Sequence, residues 1–324
     1  MIFNKTNLTA KLKSEGIFYT PITAFKNIFA RITQNIDLSE VKSAYDPACG
    51  IGNLFCVVDE KVQKYGQDIN VSQLEIASKT LQNFCYFHGD TLVSPAFSDK
   101  HFDLIVANPP FSIKWNNQNW KTDSRFNRAP AAAPNSKADY AFILHCLHVL
   151  NEKGYAVIIA FPGILYRGNS EGKIRSWLIE NGYIHRVMMI APKTFEDTSI
   201  ATVVLLLHKK PAQSVLFIDQ NGKEIRATFK QIRDNHYNLT PQHCFPETVK
   251  PGPTDEEIRA NDAQVKELFF QNFKKKISFD IWLEQMFYKQ TAVATNLAYL
   301  QRFREVIDEL TRQVRCGVLN ERQV

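Results

Sequence analysis

"FDLIVANPPFSIKW", residues 102–115, starts as an apolar run and breaks off on an amide, two prolines and an aromatic ring. The first six residues have the near-continuous hydrophobicity of a parallel strand covered on both faces. Similar β-rich runs stand at "VKSAYDPA", "KYGQDI", "FCYFHGD", "GYAVIIAFP", "YIHRVMMIA" and "ATVVLLLHKK". Helical spacing fills most of the intervals, as in "NVSQLEIASKTLQNF" and "DYAFILHCLHVLNEKG". Strands alternating with helices predict an α/β fold with a doubly wound, mostly parallel, seven-stranded sheet. "ATVVLLLHKK" follows its predecessor with no room for a crossover helix, so it is expected to run antiparallel. "SVLFIDQNGKEIRATF" reads as a small hairpin turning at Asn221-Gly222.

The chain has 324 residues, 44% hydrophobic and 22% charged, an ordinary globular composition with enough apolar surface for a sizeable core. Its formal charge of +6 is compatible with a polyanionic partner without requiring one. Six scattered cysteines with no C-x-x-C pair point to a reduced intracellular protein. A polar N-terminus and the absence of any run able to span a bilayer lead to the expectation of a soluble, cytoplasmic protein without a membrane partner.

Three polar positions stand at the ends of successive strands. "DPACGIGN" runs from Asp46 to Asn53, and Gly50 and Gly52 let its backbone approach a ligand. Position 55 is Phe, so this is not the dinucleotide fingerprint, and Asp46 suits an amino or ribose group. The plain alternative is a tight strand–helix turn. Asp68 in "YGQDIN" can accept ribose hydroxyls or merely cap a helix beside Asn70 and Ser72, and Asp90 in "HGDTL" can accept from an exocyclic amine or close a turn. Together they carry more weight, because open α/β sheets bind ligands at the carboxyl ends of their strands.

NPPF, Asn108 to Phe111, supplies different chemistry. An exocyclic amine on a nucleobase is a poor nucleophile, since its lone pair is delocalised into the ring. An amide oxygen from Asn108 and the Pro109 carbonyl can accept both of its hydrogens and draw the nitrogen towards tetrahedral geometry. Pro110 stiffens the turn, and Phe111 offers a face to a flipped base.

With "GIFYTP" upstream (Gly16 to Pro21), this series resembles the S-adenosylmethionine-dependent N6-adenine DNA methyltransferases, which carry an (N/D)PP(Y/F) motif. It is most similar to the modification subunit of type I restriction–modification systems, whose F-x-TP, DPxxGxG and NPPF motifs occur in the same order. The resemblance runs on through "DSRFNRAPAAAPNSKADYAFILHCLHVL", "FPGILYRGNSEGKIRSWLIENG" and "KTFEDTSIATVVLLL" to "HYNLTPQHCF", covering nearly all of residues 15–245.

The resemblance implies a Rossmann-like methyltransferase sheet that binds S-adenosyl-L-methionine. Phe18, Tyr19, Thr20 and Pro21 would cover the cofactor's methionine end. Asp46, Gly50, Ile51 and Gly52 would line the loop around it, Asp68 would bind the ribose, and Asp90 would sit near the adenine. Asn108, Pro109, Pro110 and Phe111 would hold the target adenine of double-stranded DNA. Arg167 and Arg175 would face phosphate near the site mouth, or serve a solvated or ion-paired role. A separate specificity subunit, a second copy and a restriction subunit are the implied partners. An amino methyltransferase acting on RNA or protein glutamine is the alternative, as is a stand-alone DNA enzyme. The family's N-terminal helical domain is expected to be absent, leaving residues 1–15 as a short lead to a catalytic domain at 16–245.

Residues 115–138 form a long polar loop after NPPF, and Arg125 and Arg128 within it are candidates to touch DNA. Residues 246–324 are expected to form a helical extension. His145 and His148 lie three apart on an expected helix, but no third ligand is near them in sequence and methyl transfer needs no metal. Cys49 reads as a small residue that permits close approach.

Overall fold

A computed structural model describes residues 20–192, 194 and 201–241, all within one unit of the chain, residues 1–247. In chain order the elements are α1 (Ile22–Ile32), β1 (Ser43–Asp46), β2 (Gln63–Asp68), α2 (Val71–Thr80), β3 (Phe84–His88), β4 (Phe102–Ala107), α3 (Asp139–His148), β5 (Leu150–Ala160), α4 (Asn169–Glu180), β6 (Ile184–Ile190), β7 (Thr202–His208), β8 (Ser214–Ile218), β9 (Glu224–Thr228) and α5 (Phe229–Asp234).

The apolar run "FDLIVA" becomes β4 because both of its faces are covered. Successive side chains point to opposite sides of a sheet, so Ile105 and Ala107 enter one core while Leu104 and Val106 enter another. β5 and β7 keep this alternation, with Ala156, Ile158, Val203 and Leu205 on the first side and Val157, Ile159, Val204 and Leu206 on the second. Phe142 and Ile143 of α3 and Ile174 and Leu178 of α4 fill the first core. Phe25 and Phe29 of α1 and Leu74 of α2 fill the second. Cutting one of these buried Ile or Leu side chains back to Ala costs about 2–5 kcal/mol.

The strand order is β3-β2-β1-β4-β5-β7-β6-β8-β9. β1 pairs in parallel with both β2 and β4, and β4 pairs in parallel with β5, so the carboxyl ends of these strands share one rim. Strand order reverses between β1 and β4, the switch point at which such sheets open a crevice. β7 lies between β5 and β6 and runs antiparallel to both, as the short connection required.

The expectation of seven strands falls short. The hairpin forms at the foreseen turn, with Gly222 at φ 88° and Asp219 Oδ1 accepting from the Asn221 and Lys223 amides at 2.8 Å. β8 then pairs in parallel with the otherwise open edge of β6, and β9 pairs with β8, so the sheet has nine strands among the described residues. A free strand edge carries unpaired N–H and C=O groups, and the hairpin satisfies those of β6. The helix expected over "DYAFILHCLHVLNEKG" also ends early, at His148, because Leu150 already starts β5. The helical extension at 246–324 and the short lead at 1–15 lie outside the described residues.

The long loop after NPPF packs on itself. Trp115 donates its indole N–H to the Pro134 carbonyl at 2.9 Å, and Asn117 Nδ2 donates to the Ala133 carbonyl at 2.8 Å. Phe126 meets Trp115 edge to face with ring centres 5.3 Å apart, and Phe126, Ala129 and Ala133 are buried in the first core. No helix among the described residues is long and apolar enough to cross a membrane.

Candidate active site

The chain leaves β1 through the turn Asp46–Gly52, built from side-chain and backbone acceptors that catch its N–H groups. Asp46 Oδ1 accepts from the Ala48 amide at 3.0 Å, and the Gln67 carbonyl accepts from Cys49 at 3.0 Å. Gly50 donates to Asp68 Oδ2 at 2.8 Å. Gly52 opens the 3-10 turn Asn53–Val57 at φ 81°, where a Cβ would lie 2.5 Å from Leu81 Cδ1. Only glycine satisfies both the dihedral and the space. Cys49 is buried, and its thiol lies where a Cβ on Gly66 of β2 would collide with it, consistent with a residue chosen for smallness.

Asp46 is 1% exposed, and its Oδ2 has no hydrogen-bond partner among the described residues. Burial pushes its carboxyl well above the usual carboxylate range; the Ala48 N–H opposes this and the charge of Asp68 adds to it. A buried acceptor left unpaired costs about 1–3 kcal/mol, so the site favours a donor or a cation at that oxygen. Asp68 is not the helix cap. Asn70 caps α2, accepting from Gln73 N at 3.2 Å, while Asp68 Oδ1 takes the Asn70 amide at 2.8 Å. Asp90 is exposed after β3 and accepts from Leu92 N at 2.8 Å.

At the end of β4, Asn108 Nδ2 donates to the Thr20 hydroxyl at 2.9 Å. The Thr20 carbonyl in turn accepts from Asn53 Nδ2 at 3.0 Å. Pro109 is buried, Pro110 is half-buried, and Phe111 is half-buried against the second core. Ser112 follows at φ 52°, with its amide 3.4 Å from the buried carboxylate of Asp139.

Thr20, Asp46, Gly50, Ile51, Asn53 and Asn108 line one cleft at the switch point between β1 and β4. The structure therefore brings the upstream motif, the glycine turn and NPPF together, and Asp68 joins them through Gly50. Pro21 stands beside the cleft at the N-terminus of α1. Phe18 and Tyr19 lie outside the described residues. Asn53 went unremarked as a site residue, although it closes the quoted "DPACGIGN"; an amide directly after G-x-G was the available signal. Gln73 also lines the cleft, and its helical position gave no signal at all.

The arginine assignments divide. Arg125 is buried and cannot face DNA phosphate: it donates to the Thr91 and Leu92 carbonyls at 2.8 Å and to Asp123 Oδ2 at 2.7 Å. Its charge is used to tie the long loop to the turn after β3. Arg128 is exposed. Arg167 lies over the Phe161 ring and pairs with Glu171 at 3.5 Å, whose carboxyl burial raises. Arg175 is buried and donates to the carbonyls of Ile164, Arg167 and Tyr237, so its role is internal. His145 faces the Tyr45 hydroxyl at 3.1 Å inside the first core.

The N-6 DNA Methylase family model matches residues 3–281. The methylase subunit of the type I restriction enzyme MpnII from Mycoplasma pneumoniae is 35% identical over 243 residues, which is 66% of this chain and 44% of the relative. The MjaIX methylase subunit from Methanocaldococcus jannaschii is 31% identical over 258 residues, 71% of this chain and 44% of the relative. The chain thus spans less than half the length of both. The crystal structure of a type I restriction–modification methyltransferase subunit from Streptococcus thermophilus superposes with a TM-score of 0.63 at 29% identity, covering 70% of this chain and 59% of that one. A family model matched over most of the length, together with relatives above 30% identity, establishes that the chain belongs to the N-6 DNA methylase family.

Proposed function

We propose that this chain is the catalytic part of an adenine-N6 DNA methyltransferase, the modification subunit of a type I restriction–modification system. The observation that carries the reading is one cleft holding both the unpartnered carboxylate oxygen of Asp46 and the NPPF amide of Asn108. Those residues fit S-adenosyl-L-methionine. Asp46 offers a buried anion to an ammonium group, Gly50 and Gly52 present bare backbone, and Asp68 and Asp90 stand ready for ribose hydroxyls and an adenine amine. The cofactor supplies an electrophilic methyl group on a sulfonium sulfur, which departs as a neutral thioether.

The chain's own residues prepare the acceptor. With Nδ2 committed to Thr20, Asn108 turns Oδ1 towards an incoming amine, and the Pro109 carbonyl takes the second N–H. Phe111 stacks the extruded base. Neither acceptor is basic enough to retain a proton, so the one released from N6 passes to water. Alignment of amine and methyl is the main contribution, since the leaving group carries its own driving force.

The DNA sequence is proposed to be read by a separate specificity subunit, with a second copy of this chain and a restriction subunit completing the assembly. The relatives' names as type I methylase subunits support assembly with other subunits. The test is tritium transfer from labelled cofactor to duplex DNA, RNA and protein acceptors. Label in DNA, lost on Asn108→Ala while cofactor binding stays, is the expected result. Label in RNA or protein, or equal loss of binding and transfer, would overturn the reading.

A further inference from the structure

Asn108 has an amide whose two ends are nearly identical in shape and opposite in function. Only the oxygen can accept from a target amine; the NH2 group would oppose it donor to donor. A side chain free to turn over would spend part of its time in the unproductive orientation. The residue that anchors this amide comes from the other end of the domain. Thr20 Oγ1 receives Nδ2–H at 2.9 Å although it is 88 residues away in sequence, and Thr20 is itself 5% exposed. Its backbone is fixed as well, because Asn53 Nδ2 holds the Thr20 carbonyl at 3.0 Å. Asn53 begins the 3-10 turn capped by Gly52, so the hydroxyl is anchored to the turn that lines the cofactor side of the cleft.

We propose that Thr20 is the positioning residue for Asn108: its hydroxyl anchors the amide at Nδ2, which leaves Oδ1 for the target amine, and the Asn53 contact sets where that hydroxyl stands. This rests on the methyltransferase reading above and extends it. Thr20 here acts through Asn108, in addition to the covering role that the upstream motif implies. The bond made in the reaction joins N6 to the methyl carbon, the bond broken joins that carbon to sulfur, and the sulfur keeps the electron pair. Thr20 exchanges no proton.

The test measures methyl transfer to unmethylated duplex DNA at saturating S-adenosyl-L-methionine, by the chain assembled with the subunits its activity requires. Thr20→Val keeps the branched shape and removes the acceptor, Thr20→Ala removes both, and Thr20→Ser keeps the hydroxyl. Both Val and Ala variants should lose about 10- to 100-fold in kcat, the scale of a misdirected reacting group. Calorimetric binding of S-adenosylhomocysteine, which also reports folding, should persist, with any weakening met by the saturating cofactor, and Thr20→Ser should recover most of kcat. Undiminished kcat in the Val and Ala variants overturns the proposal. So does a loss that follows weakened cofactor binding and disappears at saturation. If the parent assembly transfers no methyl to DNA, the functional reading fails first and this one falls with it.

Discussion

Asp68 Oδ2 accepts the Gly50 N–H at 2.8 Å, so the end of β2 holds the turn that leaves β1. The other oxygen of the same carboxylate accepts the Asn70 amide at 2.8 Å. Each oxygen keeps one further acceptor direction, which a ribose hydroxyl can use. The residue thus shapes the turn and offers itself to a ligand.

Asp68→Ala removes both functions. Two backbone donors lose their partner, and the free protein is expected to lose about 1–3 kcal/mol in denaturant unfolding. Cofactor affinity, read by calorimetry, should fall at least tenfold, roughly the effect of one lost charge-assisted bond. Unchanged affinity would leave Asp68 as a purely structural residue.

Asp46 gives the free protein a defined pH response. Its carboxyl keeps its proton to a higher pH when folded than when unfolded, because of burial above all. The native state therefore binds more protons over that interval, and stability falls as pH rises from the ordinary carboxylate range through the folded value. Asp46→Asn should be more stable than the parent near neutral pH and nearly equal to it below about pH 4. An ammonium placed at Oδ2 favours the charged form, so cofactor binding should release a proton. Calorimetry in buffers of different ionisation enthalpy measures that release, and its absence would remove the Asp46–ammonium pairing.

Arg125 and Arg128 lie three residues apart and should behave differently. Arg125→Ala leaves two carbonyls without a partner and takes the ion pair from Asp123; loss of about 3–5 kcal/mol and rapid proteolysis within 115–138 are expected. Arg128→Ala should unfold like the parent and reduce the salt slope of DNA binding by about one unit. Equal stability of the two variants would deny Arg125 its structural role.

Much of this was legible in the sequence, for identifiable reasons. Apolar runs such as "FDLIVA" and "AVIIA" announced central strands because both faces of such strands are buried. Asp46, Asp68 and Asn108 were legible because a parallel sheet gathers strand ends on one rim. Contacts between distant segments were not. Thr20 and Asn108 are 88 residues apart and meet only in the folded domain. A letter such as Arg125 reports charge and says nothing of which carbonyls will enclose it. The docking of β8 on β6 was hidden likewise, since a hairpin's local pattern does not name the edge it joins.

The self-packed loop after NPPF has a thermodynamic consequence. Its backbone has already surrendered its freedom when the domain folds, with Trp115, Phe126 and Arg125 enforcing the shape. On the proposed reading, a duplex arriving at this face would meet a segment already packed in place, so association should carry little ordering penalty from it. This segment should then add nothing to the heat-capacity change of complex formation beyond its contact area, without the excess that marks coupled folding.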